Sequence, residues 1–161
     1  MKSLIGALVV ICLLGAGLSG CLIMINENDY RALSAQDRTF VKPFEASLVN
    51  ATDSAAGKFL YEITTDDVLA QTKKNDYTWV HVWLPYCPNE DCQNIQVFQQ
   101  TAAKYDSATL TMVSATYDFV NIRRIIELSD FKQPIFVIKS EQYGHKLGKG
   151  RKRFAGALGL T

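Results

Sequence analysis

The sequence predicts an α/β domain, a three-layer sandwich around a mostly parallel sheet that ends in a hairpin. Three observations carry this expectation. From Lys58 onward, short runs rich in β-branched and aromatic residues alternate with longer segments whose apolar residues recur at helical spacing. The chain has 161 residues, enough for one ordinary core and too few for two large ones. Its 48% hydrophobic and 20% charged residues exclude disordered and collagenous chains, and its 4 cysteines are too few for a disulfide-dense scaffold. A formal net charge of +1 gives no sign of a nucleic-acid partner.

Met1 and Lys2 form a short basic start, followed by the apolar run at residues 4–18 (LIGALVVICLLGAGL). As a helix this run rises only about 22 Å, short of the roughly 30 Å hydrocarbon core, so a cleaved signal peptide fits it better than a spanning helix. It ends in Leu18, Ser19, Gly20 and Cys21. That ending resembles the lipobox of bacterial lipoproteins. The resemblance implies cleavage after residue 20 and acylation of Cys21, which anchors the chain to a membrane outside the cytoplasm. The bland alternative is an uncleaved anchor helix with an incidental cysteine. Cleavage would remove Lys2, one of 17 basic residues, and none of the 16 acidic ones, leaving the charges balanced. It would discard Cys12 and commit Cys21 to lipid, so only Cys87 and Cys92 remain as thiols in a compartment where disulfides persist.

Residues 21–57 read as a lipidated tether and N-terminal extension. Tyr30, Leu33, Phe40, Val41, Phe44, Leu48 and Val49 suit one short helix or a docking strap. The expected domain spans residues 58–161. Residues 59–63 form a short strand, and Thr65 caps a helix that opens with Asp66 and Asp67 and ends near Asn75 and Asp76. Residues 77–84 (YTWVHVWL) are apolar on both faces, as in a central strand. Ile95, Val97, Phe98, Ala102, Ala103 and Tyr105 suit a helix of about four turns. Residues 110–116 form a buried strand, Val120 to Leu128 a second helix, and residues 134–138 a strand opened by proline. A turn at residues 142–144 leads into a basic hairpin arm ending near Phe154.

A strand that runs into Pro85, Tyr86, Cys87 and Pro88, followed by helix, strand, helix and a proline-opened strand, resembles the thioredoxin-like family. The resemblance covers about residues 58–156. Trp83, Tyr86 and Pro134 match that family's tryptophan, its aromatic before the first cysteine, and its cis-proline opposite the pair. The resemblance implies a thiol–disulfide oxidoreductase acting on protein thiols or disulfides of the envelope. Cys87 is its nucleophile, Cys92 resolves the mixed disulfide, and Tyr86, Gln133 and Pro134 meet the substrate peptide across a cis Gln133–Pro134 bond. His81 stands where thioredoxins place a buried carboxylate that takes the resolving thiol's proton; a hydrogen-bonded, inert strand histidine is the bland alternative. No cofactor is implied.

The chain departs from that pattern at two places. The family's pair has two residues between its cysteines, whereas four separate Cys87 from Cys92. On a regular helix that spacing puts the Cα atoms about 8–9 Å apart, beyond the roughly 7 Å a disulfide spans. A helix after a bonded pair therefore starts no earlier than about Asn89 or Glu90. Both an exchanging pair and a static staple fit this spacing, the latter within a non-catalytic binding or scaffold protein. The last residues, 154–161, leave the family's C-terminal helix short or absent, with Phe40 and Phe44 available to cover the bare sheet face. Residues 139–161 carry Lys139, Lys146, Lys149, Arg151, Lys152 and Arg153 against Glu141 alone, a solvated arm or one that lies on anionic lipid. A copper-carrying reading would use Cys87, Cys92 and His145, but copper-delivery relatives place three residues between their cysteines.

Overall fold

A computed structural model describes residues 28–49, 51, 58–87, 94–105 and 108–160. Expectations that fall on the signal segment, Cys21, Asn89, Glu90 and Cys92 lie outside these residues. The described chain contains α1 (Ala35–Arg38), β1 (Val41–Pro43), β2 (Leu60–Ile63) and α2 (Thr65–Thr72). It continues through β3 (Tyr77–Trp83), α3 (Gln96–Ala102), β4 (Ala108–Ser114), α4 (Phe119–Ser129) and β5 (Ile135–Ile138). Two helices close it, α5 (Ser140–Tyr143) and α6 (Leu147–Ala157).

The five strands form one parallel sheet in the order β1-β2-β5-β4-β3, flanked by helices. The coarse α/β expectation therefore holds. Strand alternation sorts the residues into two cores, one on each face. Leu60, Ile135, Val137, Leu110, Met112 and Trp83 pack on one face with Ile122, Ile125 and Phe119 of α4 and Ile95 before α3. Tyr61, Ile63, Phe136, Ile138 and Val113 pack on the other with Val68 of α2, Tyr143 of α5 and Phe154 of α6. Burial falls hardest on β4 and β5, which lie inside the sheet and have helices on both sides.

Several local expectations are corrected. The closing hairpin is absent among the described residues, and the C-terminal helix is neither short nor missing. Residues 147–157 form the eleven-residue α6, with Gly150 and Phe154 buried. Its three glycines lower helix propensity, but the burial of Phe154 and the close approach of Gly150 to the Gly144 carbonyl override that penalty. Strand β3 is not central. It lies at the sheet edge among the described residues, beyond β4, with Tyr77 69% exposed. Its two apolar faces reflect helices that reach the sheet margin, not strands on both sides. The N-cap of α2 is Thr64, not Thr65. Thr64 forms a reciprocal capping box with Asp67, whereas a cap at Thr65 would pair with Val68, which has no acceptor. Helix α3 runs for seven residues, about two turns rather than four.

The extension before Lys58 joins the sheet itself. β1 pairs with β2 through Val41 to Leu60, Lys42 to Tyr61 and Pro43 to Glu62. Phe40 packs against Phe59 and Phe119 on one side, and Phe44 against Phe136 on the other. Among the described residues no helix is long and apolar enough to cross a membrane.

Candidate functional site at the carboxyl edge of the sheet

Because every strand is parallel, all their C-terminal ends open on one edge, where ligands of open α/β sheets are met. Cys87 lies there, in the turn just beyond β3, its N–H donating to the Leu84 carbonyl at 3.1 Å. It is half-buried and disulfide-bonded, with its partner outside the described residues. Trp83 lies beneath this turn, 2% exposed. Burial pushes the Tyr86 phenol above its usual range, with the Asp118 carboxylate adding to the rise and Arg151 opposing it.

His81 is held three residues before the β3 turn begins, stacked on Phe98 of α3 at 3.9 Å between ring centroids and 28° between planes. Desolvation lowers its pKa, so the imidazole is neutral at neutral pH. Among the described residues, this stacking is the contact found for the His81 ring.

The expected cis Gln133–Pro134 bond is also corrected, because no cis peptide occurs among the described residues. The register shows why this proline does not face Cys87. Val82, Val113 and Phe136 stand side by side across β3, β4 and β5. Pro134 precedes Phe136 by two residues, so it lies below the level of Val82 and two strands away. Cys87 lies beyond the opposite, upper end of β3. Pro134 is also buried and Gln133 half-buried, and the buried Gln133 Oε1 has no partner among the described residues.

The same carboxyl edge carries a polar cluster that sequence reasoning missed. Glu62, in β2, accepts a hydrogen bond from the Tyr117 hydroxyl at 2.5 Å. That hydroxyl also accepts from the Ser140 N–H at 3.2 Å. Burial, then the bond to Glu62, drives the Tyr117 pKa far up, so it stays a neutral donor. Lys139 stands 3.9 Å from the other Glu62 oxygen. The Ser140 hydroxyl accepts from the Tyr30 N–H at 3.2 Å, and buried Asn28 donates through its N–H to the His145 carbonyl at 2.8 Å and through Nδ2 to the Ile138 carbonyl at 3.3 Å. Glu62 and Lys139 line a cleft of about 410 Å³ with Lys42, Phe44 and Asp67. One signal for this cluster was legible, a glutamate inside the strand sequence Leu-Tyr-Glu-Ile.

His145 lies with its Nδ1 3.1 Å from Asp29 Oδ1, an approach without hydrogen-bond alignment whose attraction is coulombic. The Arg31 side chain, donating to Asp29 at 2.9 Å, is the main reason the Asp29 pKa falls to about 2; burial opposes the fall and His145 adds to it. No group of three or more His, Cys, Asp or Glu side chains suited to a metal occurs among the described residues. Protein-family models, curated proteins and solved structures give no match to this chain.

Proposed function

We propose that the chain is a lipid-anchored protein of the bacterial envelope, built on a thioredoxin-like scaffold, that exchanges disulfides with protein thiols through Cys87 and Cys92. The observation that carries this reading is a half-buried, disulfide-bonded Cys87 just past the carboxyl end of a parallel strand. The anchor rests on the basic start, the short apolar run and the Leu-Ser-Gly-Cys ending at residues 18–21.

In the reducing direction, the Cys87 thiolate attacks one sulfur of a substrate disulfide, and the other substrate sulfur leaves as thiolate. Cys92, deprotonated, then attacks the Cys87 sulfur, which releases the second substrate thiolate. Two electrons pass from the pair to the substrate, and the Cys87–Cys92 bond forms. His81 enters this scheme as the neutral base that takes the Cys92 proton, and desolvation keeps it in that form. Oxidation of a substrate dithiol is the same sequence reversed.

A second reading has its own support. The edge position of β3 and the buried, trans Pro134 favour a structural Cys87–Cys92 disulfide in a binding protein. The redox equilibrium of residues 21–161, carrying Cys21→Ser, against glutathione buffers separates the two. The described residues from 28 to 160 hold both cores and the whole sheet, so this chain contains the folded unit. A midpoint between about −120 and −270 mV, with one sulfur alkylated first, is the expected result. A midpoint below about −300 mV, with no singly reactive sulfur, establishes the staple.

A further inference from the structure

We propose that α6 is a membrane-contact face that binds anionic phospholipid headgroups. The proposal rests on the lipid-anchor reading of Cys21 and states how the anchored domain lies on its membrane.

The helix is one-sided in charge. Gly150 and Phe154 face the core, Lys149 and Lys152 turn away from it and Arg153 lies on the flank, with Lys146 just before the first turn. All four are exposed, and the helix carries no acidic residue. None of the four has a carboxylate partner in an ion pair among the described residues. Arg153 makes a single long hydrogen bond, to the Tyr143 carbonyl at 3.4 Å. Past the helix end, Leu160 is 60% exposed.

The path of the chain then places this face near the bilayer. Asn28 is 1% exposed and bonded to the His145 carbonyl, the residue immediately before Lys146. The tether thus meets the domain at the start of the basic helix. Only residues 22–27 separate Asn28 from Cys21, and the seven steps between them reach at most about 25 Å when fully extended. The helix itself is about 16 Å long. An acylated Cys21 therefore keeps the start of α6 within about 25 Å of the headgroups. A slackened tether brings its cations inside the roughly 8–10 Å over which a charged surface acts at physiological salt. Lysine and arginine gain from an anionic leaflet at that range, and a neutral one offers them nothing comparable.

The test uses residues 21–161 with Cys21→Ser, so that no acyl chain contributes. Vesicles of equal parts phosphatidylglycerol and phosphatidylcholine are compared with phosphatidylcholine alone, by cosedimentation at low and high salt. The expected result is binding to the anionic vesicles only, lost at high salt and weakened at least about tenfold by Lys149→Glu with Lys152→Glu. Lys73→Glu with Lys104→Glu, exposed lysines on other elements, should bind like the parent and shows that fold and total charge are not the cause. Equal binding to both vesicles, no binding to either, or an unaffected Lys149/Lys152 variant overturns the proposal. Tighter capture by duplex DNA than by the vesicles overturns it in favour of a nucleic-acid face. The anchor is read separately, from the mass of the full chain extracted from membranes. An acyl adduct without anionic-lipid preference removes the face and keeps the anchor, whereas preference without an adduct removes the anchor and keeps the face.

Discussion

Desolvation of His81 against Phe98 makes folding of this residue sensitive to pH. The folded pKa lies below the ordinary value of 6.5, so the unfolded chain binds the proton more readily. The stability from the neutral, stacked ring is therefore complete above about pH 6.5 and is lost progressively as pH falls below it. His81→Phe keeps the stack and removes the proton site. Denaturant midpoints for this variant should change less between pH 7 and pH 5 than those of the parent, while the pH 7 midpoint stays close to the parent's. A parent midpoint that is flat across this range, or an equal slope in the variant, rejects the assignment. Asp29 works in the same direction at much lower pH, contributing stability above its ordinary 3.8 that is lost as pH falls through about 2.

Among the elements, α6 shows how one small residue sets a helix in place. A Cβ added at Gly150 would lie 2.9 Å from the Gly144 carbonyl oxygen, a backbone atom that cannot rotate away. Gly144 itself holds φ +105°, a conformation that side chains rarely adopt, so the α5–α6 corner is built from two glycines with different duties. Gly150→Ala should destabilise the fold by about 1–3 kcal/mol through overpacking. At Gly148, where an added Cβ meets nothing within 4 Å, the same change should stabilise it by up to about 0.5–1 kcal/mol. Thermal or urea unfolding of both variants checks the opposite signs; the same sign for both would remove the close-approach account.

For the whole molecule, the stretch before Lys58 is part of the domain rather than a spacer. It supplies an edge strand, aromatic contacts to both cores, and the Asn28 and Tyr30 bonds that hold the carboxyl edge. A chain begun at Lys58 exposes the β2 margin and leaves Phe59, Phe119 and Phe136 without these neighbours. Relative to a chain begun at Leu22 it should lose on the order of 5 kcal/mol, from burial of Phe40, Val41 and Phe44 alone. Circular dichroism melts and solubility compare the two, and equal melting temperatures would show that the extension is dispensable.

What the sequence determined by itself is the set of local preferences. The β-branched runs became β2 to β5, the apolar spacing of Ile122, Ile125 and Ile126 became α4, and the choice of α/β class followed from their alternation. The turn after Trp83 was equally legible, because proline and its neighbours stop a strand wherever it lies in the sheet. Strand order was not legible. A run with two apolar faces looks the same at a sheet edge covered by helices as it does in the centre, so the pattern of β3 suggests a middle strand, while Pro134 opposite Cys87 is implied by the family resemblance alone. The basic C-terminal segment read as a hairpin because its glycines argue against helix locally, and the packing of Phe154 and Gly150 reverses that only once the sheet face exists. Glu62, Tyr117, Ser140 and Asn28 are far apart in the chain, and no local pattern announces a cluster. The parallel sheet brings their strand ends to one edge, because burying a carboxylate and a phenol there requires that each find the other.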